Sequence, residues 1–477
     1  MAASVTPAEL ALPSAPRPFR LRIIPRIETY PAVVAFAQTA LGKATMLSVF
    51  ALGLSFYMAQ WKAMTLWLLL ITLMPHRRRL LVTIGLLQWT FVMPLERVEF
   101  NTMVLMPLIQ KAAACAIGGL LFYAAIRLDK TILGRRPILA LLLGYAAFVY
   151  AVSTLVRTHP GYQILWAFAV TFSFYVWFIG YALMDRNSST RDPFYLQLGT
   201  FHPFWGSTHV PIPKGSAYLR KIEAHTPEKL AVTQLKALKL LAWGLLLNQV
   251  LKAGQALVYG RLAIPTFAVA FDHIAKGSPD KTLICWLSLI ASFTEAALML
   301  TVTGHQIVAC CRMAGFAALR NTYSPFTART IADFWNRYYY YFKELLADFF
   351  FYPAFMRFFK GNSQVRLAFA TLAAATFGNA FYHFFNEPDS IARLGFWNAI
   401  VAFQPYLFYT LVLGIGIVVS QMRRKKAVHT GWFRARLVPC FCVTSFFCLL
   451  HVFCDSSRTY PISVHFRYFA HLFNLPV

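Results

Sequence analysis

Charge is what this sequence has least of. Only 13% of its 477 residues are Asp, Glu, Lys or Arg, about half the share found in soluble domains. Acid is scarcer still, with 18 Asp and Glu against 45 Lys and Arg. Hydrophobic residues make up 58% of the chain. That balance leaves too few charges to solvate a protein of this size, so the sequence predicts an integral membrane protein. Familiar catalytic signatures are missing as well. There is no G-x-x-x-x-G-K-[ST], which excludes a phosphate-cradling loop of the ATPase kind. Neither H-E-x-x-H nor G-x-S-x-G occurs, and the eight cysteines form no C-x-x-C pair. No metal site is expected, and the cysteines read as small buried hydrophobes. No two-half internal repeat of the transporter kind is visible. Residues 1–31 lack a continuous apolar core, so they read as an extramembrane arm and not as a cleaved signal peptide.

Long uncharged runs are present instead. Residues 44–61, 137–156, 158–184, 367–386, 395–422 and 437–454 each reach a length that can span ~30 Å of hydrocarbon. Shorter or singly charged windows at 63–75, 80–95, 102–126, 240–259 and 282–311 extend the set. The expected architecture is all-α, with about ten to twelve membrane-associated helices, some re-entrant or interfacial, around a central tunnel. Helices are favoured because backbone groups in lipid must be satisfied internally, and these windows do not alternate as barrel strands do. The net charge of +27 comes largely from loop clusters such as Arg77–Arg78–Arg79, Arg135–Arg136 and Arg423–Arg424–Lys425–Lys426. Such clusters fit the positive-inside rule and attraction to anionic headgroups. Membrane lipids are therefore expected partners and nucleic acid is not.

Composition divides the chain into the arm at 1–31, an apolar block at 32–184, a polar loop at 185–236 and a second membrane block at 237–477. The loop is rich in Pro, Gly, Ser and aromatics and carries His202, His209 and His225. Ionisable residues within the apolar windows are rare, and such residues are functional candidates by default. They concentrate between Glu295 and His383, with His305 and Arg312 in the same stretch. Thr330, with Asp333 three residues on, predicts a capped helix start. A stripe of Phe334, Trp335, Tyr338, Tyr341, Phe342 and Leu345 follows, interspersed with Asn336, Arg337, Lys343 and Glu344. It reads as a helix half-sunk in the interface. The uncharged window at 367–386 then ends in "FGNAFYHFF", where Asn379 stands one helical turn before His383.

In order and spacing, Gly304, Arg312, Gly315–Phe316, Asn321, Pro325, Ala328, Phe334–Trp335, Arg337, Tyr352–Pro353 and His383 resemble the membrane-bound O-acyltransferase family. The nearest branch is the bacterial polysaccharide-acetylating one, and the pattern occupies residues 304–385. Two positions depart from it. Tyr382 and Phe384 flank His383 where the family has tryptophan and glycine, and Tyr339 stands where the family has a second polar residue. The resemblance implies an integral membrane O-acyltransferase with His383 as general base. The donor implied is an acyl thioester, either acyl-CoA or an acylated carrier protein, with no bound cofactor. The acceptor is a hydroxyl of a glycan, lipid or other envelope component. Asn336, Tyr339 or Asn379 would donate to the oxyanion, and Trp335, Arg337, His305 and Arg312 would contact substrate. The polar loop, Lys343 or the 423–426 cluster would hold an anionic donor headgroup. Location in a bacterial cytoplasmic membrane beside envelope or export proteins is implied too. The alternative left by composition alone is a non-enzymatic transporter or assembly factor for lipid-linked substrates.

Overall fold

The computed structural model describes residues 23–475 except Tyr57, 93–105, 128–129, 157–160, 186–191, His202, 207–213, 424–430, Trp432 and 455–457. Among the described residues the chain is helical throughout, with a single isolated β-bridge between Glu223 and Phe316. Twelve helices are needed to place the candidate site. They are α1 (Pro31–Gln38), α2 (Ala40–Ser55), α3 (Tyr162–Asp185), α4 (Pro227–Gln255), α5 (Thr282–Met313), α6 (Ile331–Tyr338), α7 (Tyr340–Leu346), α8 (Ser363–Leu372), α9 (Asn379–Phe385), α10 (Gln404–Met422), α11 (Val438–Leu450) and α12 (Ile462–Leu472).

Four helical runs among the described residues are long and apolar enough to cross a membrane. These are α4 with its terminal π turn to Arg261, then α5, α10, and the run around α11 from Phe433 to Phe453. Two bent pairs raise the total to six: α1 with α2, bent by 95°, and the two halves of α3, bent by 55°. The ten to twelve membrane-associated helices expected are not confirmed by this count of spans, and several apolar windows fold into shorter pieces. The 63–75 window forms a helix of 13 residues and the 137–156 window one of 17. At 1.5 Å per residue these reach only about 20 and 26 Å, less than the ~30 Å hydrocarbon core. The outward faces are apolar: only 28% of the most apolar window of α5 is buried within the protein. Leu283 on α5 is 68% exposed and Phe441 on α11 is 74% exposed. Apolar surface on this scale needs hydrocarbon around it, so the fold is that of a membrane-embedded helical protein.

The polar region at 185–236 is not a loop throughout. The helix α4 begins inside it at Pro227. Thr226 caps that start by accepting from the Lys229 N–H at 3.2 Å, with Pro227 in the first turn and Glu228 beside the helix dipole. The charges of the first turns of α4 hide the helix from an argument based on apolar windows. Thr330 caps α6 as its sequence predicts, accepting from the Asp333 N–H at 3.0 Å. The Asp333 carboxylate turns forward, however, and accepts from Arg337 Nε at 2.7 Å.

The helix carrying His383 is seated by polar contacts with α10. Along one face, Thr371 Oγ1 donates to Gln421 Oε1 at 2.8 Å and Thr376 Oγ1 donates to the Thr410 carbonyl at 3.1 Å. Tyr406 Oη donates to Asn379 Oδ1 at 3.4 Å. The partners run backwards along α10 as the first chain runs forwards, so the helices are antiparallel. Thr371 and Thr376 are five residues apart, a spacing that a regular α-helix would place on different faces. A π turn over Ala373–Gly378 absorbs the extra residue and brings both to the α10 side. Close approach of the helices depends on Gly414, where an added Cβ would collide with Thr376 Oγ1.

Gly414→Val should therefore separate α10 from the π turn. Overpacking of this kind costs about 1–3 kcal/mol, and thermal unfolding in detergent micelles should show a lower midpoint than wild type. An unchanged midpoint would mean that the contact at Gly414 is not limiting.

Candidate functional site

His383 lies on the last turn of α9, half-buried in a shell of aromatic rings. The Tyr406 ring is 4.7 Å from the imidazole at 45°, and the Phe342 ring is 5.6 Å away at 76°. Tyr382 contributes a third ring at 5.2 Å. Asn379 is fully buried, one turn earlier on the same helix. Its carbonyl oxygen accepts from Tyr406, while its amide nitrogen is buried without a partner among the described residues. Buried donors are nearly always satisfied, and leaving one unmade costs about 1–3 kcal/mol. The amide therefore has a free donor one helical turn from His383 among the described residues.

Tyr406 is the residue that the sequence reading missed. It comes from α10, in a window that reads as a plain apolar span. The available signal was the pair Tyr406 and Tyr409, three residues apart in that span and both buried. A buried tyrosine hydroxyl requires a partner, and here the partner is Asn379.

Tyr339 occupies the break between α6 and α7, with φ −142° and ψ 75°. Its ring lies 5.1 Å from Phe342, the ring that also flanks His383. Burial first, and the neighbouring Tyr382 and Tyr338 phenols after it, push the Tyr339 hydroxyl well above its ordinary pKa. The group therefore stays protonated and can donate. Trp335 is buried against Phe342 with 6.2 Å between ring centres. The structure thus gathers Asn379, His383, Tyr339 and Trp335 around Phe342 and Tyr406.

The other expected residues sit elsewhere. Asn336 is exposed. Arg337 is occupied by Asp333 and by Thr327, whose hydroxyl accepts from Nη1 at 3.0 Å. It ties α6 to the turn before it. His305 is buried on α5, and its Nδ1 lacks a partner among the described residues. The adjacent Gly304 gives room to the Asn321 side chain, whose Oδ1 accepts from the Tyr341 N–H at 3.2 Å. Arg312 closes α5 and donates from Nε to the Ala318 carbonyl at 2.9 Å. Of the basic groups expected to hold an anionic headgroup, the 424–426 part of the cluster lies outside the described residues, as do His202 and His209. Among the described residues, no three His, Cys, Asp or Glu side chains converge as a metal site would require.

The polar region between the two blocks packs against the site's supporting helices. Lys214 reaches Glu344 on α7 at 2.6 Å and Asp348 just beyond it at 2.8 Å. Lys343 also donates to Glu344. Arg78 donates to the Ala224 carbonyl at 2.9 Å and Arg79 meets Asp192 at 2.6 Å. Burial alone would raise the Glu344 carboxyl, but the hydrogen bonds from Lys214 and Lys343 outweigh it and hold the group below its ordinary pKa.

Compared with known proteins, the chain matches no family model and no curated sequence.

A carboxylate with a depressed folded pKa adds stability above its unfolded pKa of ~4.3 and loses it as pH falls through the folded value. Glu344→Gln should accordingly melt below wild type at neutral pH. The gap between their midpoints should narrow when both are melted in detergent at pH 4 and then lower. A gap independent of pH would show that the Lys214–Glu344 contact adds nothing through charge.

Proposed function

We propose that the protein is an integral membrane O-acyltransferase, with His383 as general base. The observation that carries this reading is that His383, surrounded by aromatic rings, stands one helical turn from the Asn379 amide, whose oxygen Tyr406 holds and whose nitrogen has no partner among the described residues. It agrees with the 304–385 pattern that resembles the membrane-bound O-acyltransferases.

In the proposed reaction, neutral His383 removes the proton from an acceptor hydroxyl. The oxygen attacks the thioester carbonyl, and the developing oxyanion receives a hydrogen bond from Asn379 Nδ2, from the Tyr339 hydroxyl, or from both. Collapse of the tetrahedral intermediate forms the ester and expels a thiolate, which takes up the proton from the imidazolium. The surrounding rings limit water at the carbonyl and so limit thioester hydrolysis. Tyr382 and Phe384 at the positions flanking His383 are compatible with this role, since both are buried supports of α9. The donor is acyl-CoA or an acylated carrier protein, and the acceptor is a hydroxyl of a glycan, lipid or other envelope component. We further propose residence in a bacterial cytoplasmic membrane beside export partners, with the shorter apolar helices bringing the membrane-associated set to about ten to twelve.

Purified protein supplied with labelled acyl-CoA or acylated carrier protein and a hydroxyl acceptor should release thiol. His383→Ala should slow transfer by about 10²–10⁴-fold. Asn379→Ala should lower kcat by about 10²–10³-fold with a smaller change in KM. Equal rates for wild type and His383→Ala would overturn the assignment.

A further inference from the structure

Away from His383, the start of the described chain, α4 and the end of α5 enclose a cavity of about 500 Å³. That volume falls within the ~300–1,000 Å³ typical of ligand sites. Five of its lining side chains are cationic: Arg26, Lys236, Lys239, Arg312 and Arg320. The single carboxylate, Glu28, is paired with Lys239. The other four cations form no ion pair among the described residues. Arg312 uses Nε for the Ala318 carbonyl, which fixes the plane of its guanidinium. Arg320 lies with its guanidinium carbon 6.0 Å from the Tyr323 ring centre.

These groups repel one another in a partly desolvated space. Burial first holds Arg320 below its ordinary pKa; Tyr323 and Glu28 oppose that effect, and the nearby charge of Arg26 adds to it. Folding has gathered like charges where water screens them poorly. A multivalent anion would relieve this repulsion, and guanidinium groups match phosphate oxygens in geometry as well as charge. Arg26 and Lys236 are exposed and Lys239 is buried, so the cavity opens past the first two.

We propose that this cavity is a binding site for the phosphate groups of an anionic ligand, held by Arg312 and Arg320 with Lys236 and Arg26 at the mouth. Glu28 neutralises Lys239 within the same lining. The ligand is either a soluble molecule with two or more phosphate charges or the headgroup of an anionic phospholipid. The assignment goes beyond the acyl-transfer reading and does not require it, because none of these residues belongs to the His383 cluster.

The test is binding to the full chain in neutral detergent micelles, with pyrophosphate and coenzyme A as soluble probes. In a second arm, the chain is reconstituted in phosphatidylcholine vesicles with and without phosphatidylglycerol, and lipid retention is measured by native mass spectrometry after extraction. Arg320→Gln should weaken the probe that binds by roughly 10- to 100-fold, and added salt should weaken it further. Glu28→Gln should tighten it, an outcome that a merely misfolded variant cannot produce. His383→Ala should bind as wild type does, so loss of catalysis and loss of this site can be told apart. Binding of the soluble probes supports a soluble phosphorylated ligand, and selective retention of phosphatidylglycerol supports a headgroup. The proposal is overturned if neither probe class binds, or if affinity is the same in wild type, Arg320→Gln and Glu28→Gln.

Discussion

The candidate site depends on hydrogen bonds made between packed helices. Thr371 to Gln421, Thr376 to the Thr410 carbonyl and Tyr406 to Asn379 tie the His383 helix to α10 along its length. Each contact between membrane helices of this kind is modest, on the order of 1 kcal/mol. Their joint effect is on register. A slide or rotation of α9 would break all three together and leave polar groups without partners, which costs more than the bonds contribute. The π turn before Asn379 is the feature that makes the register achievable, since it brings Thr371 and Thr376 to one face.

The same helix also orders the rest of the site. Ser420 near the end of α10 accepts from the Ala332 N–H at 3.4 Å and so meets one of the free donors at the start of α6. Through α6 and α7, α10 is linked to Trp335, Tyr339 and Phe342. Tyr339 borders both large apolar clusters of the molecule, the one around His383 and the one built on α2, α4 and α5. The break in helical geometry at Tyr339 therefore falls at the seam between the two halves. Lys214 holds α7 from the other side through Glu344 and Asp348. The proposed chemistry thus rests on a support that comes from four separated parts of the chain.

Some of this was legible residue by residue. The scarcity of charge and the uncharged windows led to a helical membrane protein. Thr330 was readable as a cap because capping is local. Asn379 and His383 were readable as neighbours because four residues on one helix share a face. The helix start at Pro227 was less accessible, because the charges of its first turns look like loop. How many of the apolar windows cross the membrane was less accessible, because such a window records hydrophobicity and not whether one helix continues through it. Tyr406 and the basic cavity were out of reach, since their members lie far apart in sequence.

By itself the sequence determined the medium, the helical class and the placement of Asn379 one helical turn before His383, because solvation and helical periodicity act through composition and near neighbours. The tertiary structure alone decided that Tyr406 would hold the Asn379 carbonyl while its amide nitrogen finds no partner among the described residues. It also decided that Asn336 would be exposed, and that Arg312 would join Arg26, Lys236 and Arg320 in one cavity. These outcomes depend on the register and approach of helices distant in the chain, which packing and interhelical hydrogen bonds set and local pattern does not encode.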